Sequence, residues 1–191
     1  MRLIMESWRG FIKEKLMLKP DIVGDPDPRG WDLYANLVTE AYMKAPVFED
    51  RAVPAWEALV PFVDKMYKQI QSRIEIEPVD YHPYDVGLDV DVTGADRMRQ
   101  SVTDTGKLLV SKADADHPIF DLETNVKFRA VHDYMTHIQP KIPAGFTSAK
   151  KQGSIHQELR AYNIHAKTVP KAGIPALFTE VVGQVCAFYV T

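Results

Sequence analysis

Apolar positions along this chain recur mostly at helical spacing. Leu3, Ile4, Trp8, Phe11, Ile12 and Leu16 form one stripe, while Glu6, Arg9, Lys13, Glu14 and Lys15 break any continuous apolar run of the kind an export signal needs. The pattern predicts an amphipathic N-terminal helix or arm over 1–19. KPDIVGDPDPRG at 19–30, with three prolines and two glycines, then reads as a loop. Leu33, Leu37, Val38, Ala41 and Tyr42 share a helical face closed by Pro46, and a further stripe runs from Trp56 to Ile70, delayed or kinked by Pro61.

The period then shortens. Ile74–Tyr81 and Val86–Val92 alternate as half-buried strands do, and Leu108–Val110 predicts another short strand. Between them, Thr93 or Asp96 starts a helix that Gly106 ends. ADADHP at 113–118 reads as a solvated acidic loop, too short for a calcium loop. Helical spacing returns over Leu122–Ile138 up to Pro140. Ser154 with Gln157 makes a capping box for a helix to about Ala166, and Pro175 opens a nearly all-apolar last helix to Val190.

The expected architecture is therefore α+β and predominantly α-helical: a small mid-chain sheet, and C-terminal helices clustered around a polar pocket. We expect one globular domain over 31–191, with its site in 122–191.

Composition narrows the chemistry. At 191 residues the chain has 23 basic and 26 acidic side chains for a formal charge of -3, and its Lys and Arg form no stripe that would track phosphates, so nucleic acid is not indicated. The one cysteine, Cys186, excludes a disulfide framework and lies in the last apolar helix as a small core residue. No apolar run approaches the ~20 residues of a spanning helix, so no transmembrane segment is expected. P-loop, dinucleotide and nucleophile-elbow motifs are all missing.

Histidines supply the candidate site. His132 and His137 lie five apart in FRAVHDYMTH, and five residues advance about 140° around a regular helix. The rings converge only where the helix loosens, as in a π-turn. Glu180 sits in an apolar helix, where an ionised carboxylate costs several kcal/mol unless something binds it. Two histidines and one carboxylate make the set used by non-haem Fe(II) oxygenases, and the same set holds zinc. His132, His137 and Glu180 are thus the expected ligands of a divalent metal, Fe(II) before Zn or Mn. Glu158, Tyr162 and His165 share one face of the preceding helix. Glu158 and His165 are candidate catalytic groups or replacement ligands, and Asp133, Tyr162, Gln184 and Arg129 are expected around the ligands.

The chain locally resembles the iron site of the aromatic amino acid hydroxylases, which place an acidic residue after the first of two histidines and a glutamate downstream, as His132, Asp133, His137 and Glu180 do here. The resemblance covers the C-terminal third, has Thr136 where that family usually has glycine, and implies neither pterin nor an aromatic substrate. The strings FRAVHDYMTH, ELRAYNIH and TEVVGQ are also similar to those of uncharacterised proteins of tailed phages and bacteria.

The leading expectation is a metal-dependent enzyme, most concretely a non-haem iron oxygenase of unknown small-molecule substrate, cytoplasmic in a bacterial or infected host cell. The alternative is a non-enzymatic phage or virion protein with a structural cluster, whose first helix docks on a phage partner. The apolar ending AFYVT also fits a homo-oligomer contact. An HD-type phosphohydrolase, for which His132 and Asp133 supply the dipeptide, ranks lower because His82 and His117 fall in loops rather than on a helix.

Overall fold

A computed structural model describes residues 28–46, 48–84, 94–139 and 151–190. The amphipathic arm at 1–19 and the alternating segment Val86–Val92 lie outside the described residues.

Helix α1 (Pro28–Lys44) begins within the stretch expected as loop, since proline fits the first turn of a helix, where its missing N–H has no partner to lose. It buries Tyr34, Ala35, Val38 and Thr39. The stripe from Trp56 to Ile70 is two helices, α2 (Val53–Glu57) and α3 (Val60–Gln71), each with a proline in its first turn. Pro61 thus starts a new helix instead of kinking a single one. Ala55, Trp56, Leu59, Val63 and Ile70 face the core from this pair.

Strands β1 (Glu75–Val79) and β2 (Lys107–Ser111) pair in parallel, with Glu75 opposite Lys107 and Val79 opposite Ser111. Helix α4 (Gly94–Thr105) lies between them in the chain, as a parallel pair requires of its crossover. Gly106 ends α4 at φ +70°, a left-handed conformation that a residue without Cβ adopts at no steric cost. Leu108 and Val110 point inward from β2, where Met98, Val126 and Ala130 complete a small core.

Helix α5 (Leu122–His132) is capped by the Asp121 carboxylate, which accepts from Thr124 N at 2.7 Å. It forms the wall between two cores: Val126 and Ala130 face the sheet, and Phe128 and Val131 face the main core with Val38, Leu59, Leu177, Val182 and Cys186. A π-turn, Asp133–Ile138, continues α5. Helix α6 (Lys151–His165) starts before Ser154, so that residue lies inside the helix and not at its cap. A 3₁₀ turn (Lys171–Gly173), α7 (Ile174–Phe178), a second π-turn (Thr179–Gly183) and α8 (Gln184–Val190) follow.

The molecule is predominantly α-helical with a small mid-chain sheet, as the sequence pattern predicts. The last helix is not buried throughout: Gln184 is exposed and Phe188 is 78% exposed. Cys186 is fully buried, and burial pushes its thiol up to about 12. Among the described residues, no helix is long and apolar enough to cross a membrane.

Candidate metal centre

The first π-turn solves the spacing problem of the two histidines. Gln139 N donates to Tyr134 O, five residues back, at 2.9 Å. The extra residue per turn brings the rings of His132 and His137 to 5.1 Å between centroids. Two neighbours support the wide turn. Thr136 Oγ1 donates to His132 O at 2.6 Å, a bond that bends helices, and Arg99 of α4 donates to His137 O at 2.9 Å.

Between the two imidazoles stands Glu158 of α6. His132 Nε2 lies 3.4 Å from its Oε2 and His137 Nε2 lies 3.6 Å from its Oε1, so each ring faces a different oxygen of one carboxylate. One ligand atom from each of the three residues lies within 4.8 Å of the others. With metal–ligand bonds of ~2.0–2.1 Å, neighbouring donors on a tetrahedral ion stand roughly 3.3–3.4 Å apart. The two histidine–carboxylate distances approach that while the full set spans up to 4.8 Å, so an ion would draw the donors together, and the donor set suits a divalent transition ion.

Electrostatics agree. His137 and Glu158 are only 3% and 4% exposed. Burial drives the Glu158 carboxyl upward, but the hydrogen bond from His132 and the charge of that ring outweigh it and hold the group below its usual range. For His132, burial works against the proton, and the bond to Glu158 with the surrounding carboxylates outweighs that. Burial pushes His137 down to about 4, which leaves its ring neutral and able to ligate at neutral pH. Burial raises Asp133 to about 6, His132 opposing and Glu158 adding to the shift.

Glu180 requires a correction. It stands on the second π-turn, but it is not one of the three converging groups; its Oε1 lies 3.3 Å from His117 Nε2. The carboxylate of the cluster is Glu158, and the burial penalty that singled out Glu180 is relieved by a histidine. His117 itself comes from the supposedly solvated acidic loop. Its Nδ1 accepts from Ile119 N at 3.1 Å and Phe120 N at 2.8 Å, so a neutral His117 carries its proton on Nε2 and donates to Glu180. Its ring packs between Trp56 and Phe120, at centroid distances of 4.6 and 4.8 Å. The signal in the sequence was the apolar pair Ile119 and Phe120 just after His117, which anchors that end of the loop.

The loop is held firmly elsewhere as well. Arg129 donates to the carbonyls of Ser111, Ala113 and Asp114 at 3.0, 2.8 and 2.6 Å, and Asn125 Nδ2 donates to Ala115 O at 2.6 Å. Loop, α5 and the second π-turn enclose a cavity of about 260 Å³, with His132, His137, Glu158 and Glu180 among its lining residues. Asp133 and Arg129 also line it, and Gln184 stands at its exposed side. Tyr162 is not among its lining residues; half-buried against the main core, its ring meets Phe178 edge-on at 5.2 Å. His165 lies behind the cluster, 1% exposed, its ring 5.5 Å from that of His132.

Comparison with protein families, curated proteins and solved structures finds no match. The site therefore speaks through its geometry alone.

Proposed function

We propose that His132, His137 and Glu158 hold a divalent metal ion and that the protein is a metal-dependent enzyme acting on a small molecule in the adjoining cavity. One observation carries this reading: two imidazole nitrogens and a buried carboxylate converge at near-ligand spacing on the wall of a 260 Å³ cavity. Two nitrogens and one oxygen with space alongside are the arrangement of non-haem Fe(II) oxygenases, so Fe(II) and oxygenase chemistry are the concrete form of the proposal. When bound, such an ion would supply redox chemistry through coordination positions that the protein leaves open.

The chain's own residues narrow the substrate. Among the described residues five carboxylates line the cavity, and the one guanidinium there, Arg129, is spent on the carbonyls of Ser111 at the end of β2 and of Ala113 and Asp114 in the loop. Such a lining repels phosphate esters and favours neutral or cationic molecules. This weighs against the HD-type phosphohydrolase reading, although Asp133 does face the cavity.

The test is metal content by mass spectrometry after loading the full chain with Fe(II), Mn(II) or Zn(II) under anaerobic conditions. One ion per chain is expected for wild type and for Glu180→Gln, and strong depletion for His132→Ala and Glu158→Gln. Nitric oxide added to the Fe(II)-loaded protein should give the spectrum of an accessible ferrous site. Wild type that retains no metal would end the proposal and leave a structural polar cluster in its place.

A further inference from the structure

His165 is the least explained polar side chain of the described structure. It is 1% exposed, and among the described residues neither of its ring nitrogens has a hydrogen-bond partner. Buried polar groups nearly always find partners, because desolvation without a compensating bond is costly. A histidine left with both nitrogens unmet, directly behind two other histidines, is more costly than an apolar residue of similar size would be. Part of that energy is recovered where an ion accepts the lone pair of the unprotonated nitrogen.

The spacing fits that explanation. An imidazole bound through nitrogen at ~2.0–2.1 Å places its ring centre roughly 3.2 Å from the ion, so two neighbouring rings have centres roughly 5.2 Å apart on a tetrahedral ion and roughly 4.5 Å apart on an octahedral one, onto which the rings would have to close. His132 and His137 stand at 5.1 Å and His132 and His165 at 5.5 Å, both pairs steeply inclined, at 74° and 69°. His165 and Glu158 are seven residues apart on α6, nearly two turns, and so share its face. His165 is not among the three groups whose ligand atoms already lie within 4.8 Å of one another, so the ion has to draw its ring inward.

We propose that His165 is a fourth protein ligand, making the centre three histidines and one glutamate. The proposal rests on the metal-binding reading above and deepens it. Four protein donors on an octahedral ion leave two positions for substrate or oxidant; on a tetrahedral ion they leave none.

The experiment uses the full chain loaded with Co(II). In wild type, NMR of the ¹⁵N-histidine-labelled protein counts the ring N–H resonances shifted far outside the ordinary range by the paramagnetic ion. Three are expected, and two would overturn the proposal without any substitution. His165→Gln and His165→Ala follow, with folding checked by circular dichroism. Each should weaken Co(II) binding by at least about 100-fold, the upper range for losing a mere supporting group, and should change the visible absorption of the bound ion. A buried histidine with only a packing role would instead lower thermal stability and leave affinity and spectrum at wild-type values, which refutes the fourth ligand while the three-residue centre stands. Wild type that fails to bind Co(II) overturns both readings together.

Discussion

Arg99→Met isolates what keeps the first π-turn open. Arg99 Nη1 donates to the carbonyl of His137 at 2.9 Å, and the methionine keeps much of the aliphatic stem while removing the donor. A second contact, with Asp96 one turn away, is a partly exposed pair worth little by itself. A hydrogen bond from a charged donor contributes ~1.5–3 kcal/mol, and the carbonyl belongs to a residue only 3% exposed. The expected loss is therefore about 2 kcal/mol. For a chain of this size that lowers the Tm by roughly 4–8 °C. Metal affinity should fall as well, by about 10–100-fold, because the same bond fixes the strand of backbone that carries the His137 ring. Thermal unfolding by circular dichroism and Co(II) titration read the two effects on one sample. A Tm within 1 °C of wild type, with unchanged affinity, would show that the turn holds itself open and that Arg99 is incidental.

Gly183 closes the second π-turn, and a Cβ there would stand 2.8 Å from Tyr42 Cδ2. Gly183→Ala should cost ~1–3 kcal/mol by overpacking, and Tyr42→Ala in the same chain should relieve part of it; additive losses in a double-mutant cycle would refute the contact. Acid should destabilise the metal-free protein. Between about pH 6 and 4.5 the unfolded chain protonates His137 and His165, whose folded values lie near 4 and 3 because of burial, while the folded state gains a proton on Asp133, raised to about 6 by burial. The unfolded state thus binds about one proton more, and stability falls by roughly 1–2 kcal/mol per pH unit as pH drops. Urea midpoints that stay level from pH 6.5 to 4.5 would contradict this. Lys127→Met, by contrast, removes surface pairs with Asp64 and Glu123 and should change stability by less than about 1 kcal/mol in the same urea assay.

The helices were legible because each carries its own apolar stripe and its own proline or glycine punctuation. Pro61 marked a boundary, although a proline fits both a kink and the first turn of a new helix, and the local pattern does not choose between them. The five-residue gap between His132 and His137 encoded the need for a loosened turn. The choice of carboxylate was not encoded. Glu158 and Glu180 differ in which histidine reaches them, and that follows from where α6 and the 113–118 loop dock. His117 was hidden for the same reason: an acidic, proline-containing loop looks solvated until Arg129 and Asn125 are seen gripping its carbonyls. The parallel register of β1 and β2 is likewise a product of the crossover through α4, since alternation in each strand is the same for either direction.

The grip of Arg129 on the carbonyls of Ser111, Ala113 and Asp114 ties the rim of the cavity to the very helix that ends in His132. Rim and floor on that side are one mechanical piece, so a guest that tilts α5 displaces both by the same amount and gains no extra width. If the cavity takes a small molecule as proposed, discrimination by size would fall to the opposite bank, where Val181, Gln184 and Val185 border it. Under that reading, exchanging side chains there would retune which molecules enter while leaving the histidines in place.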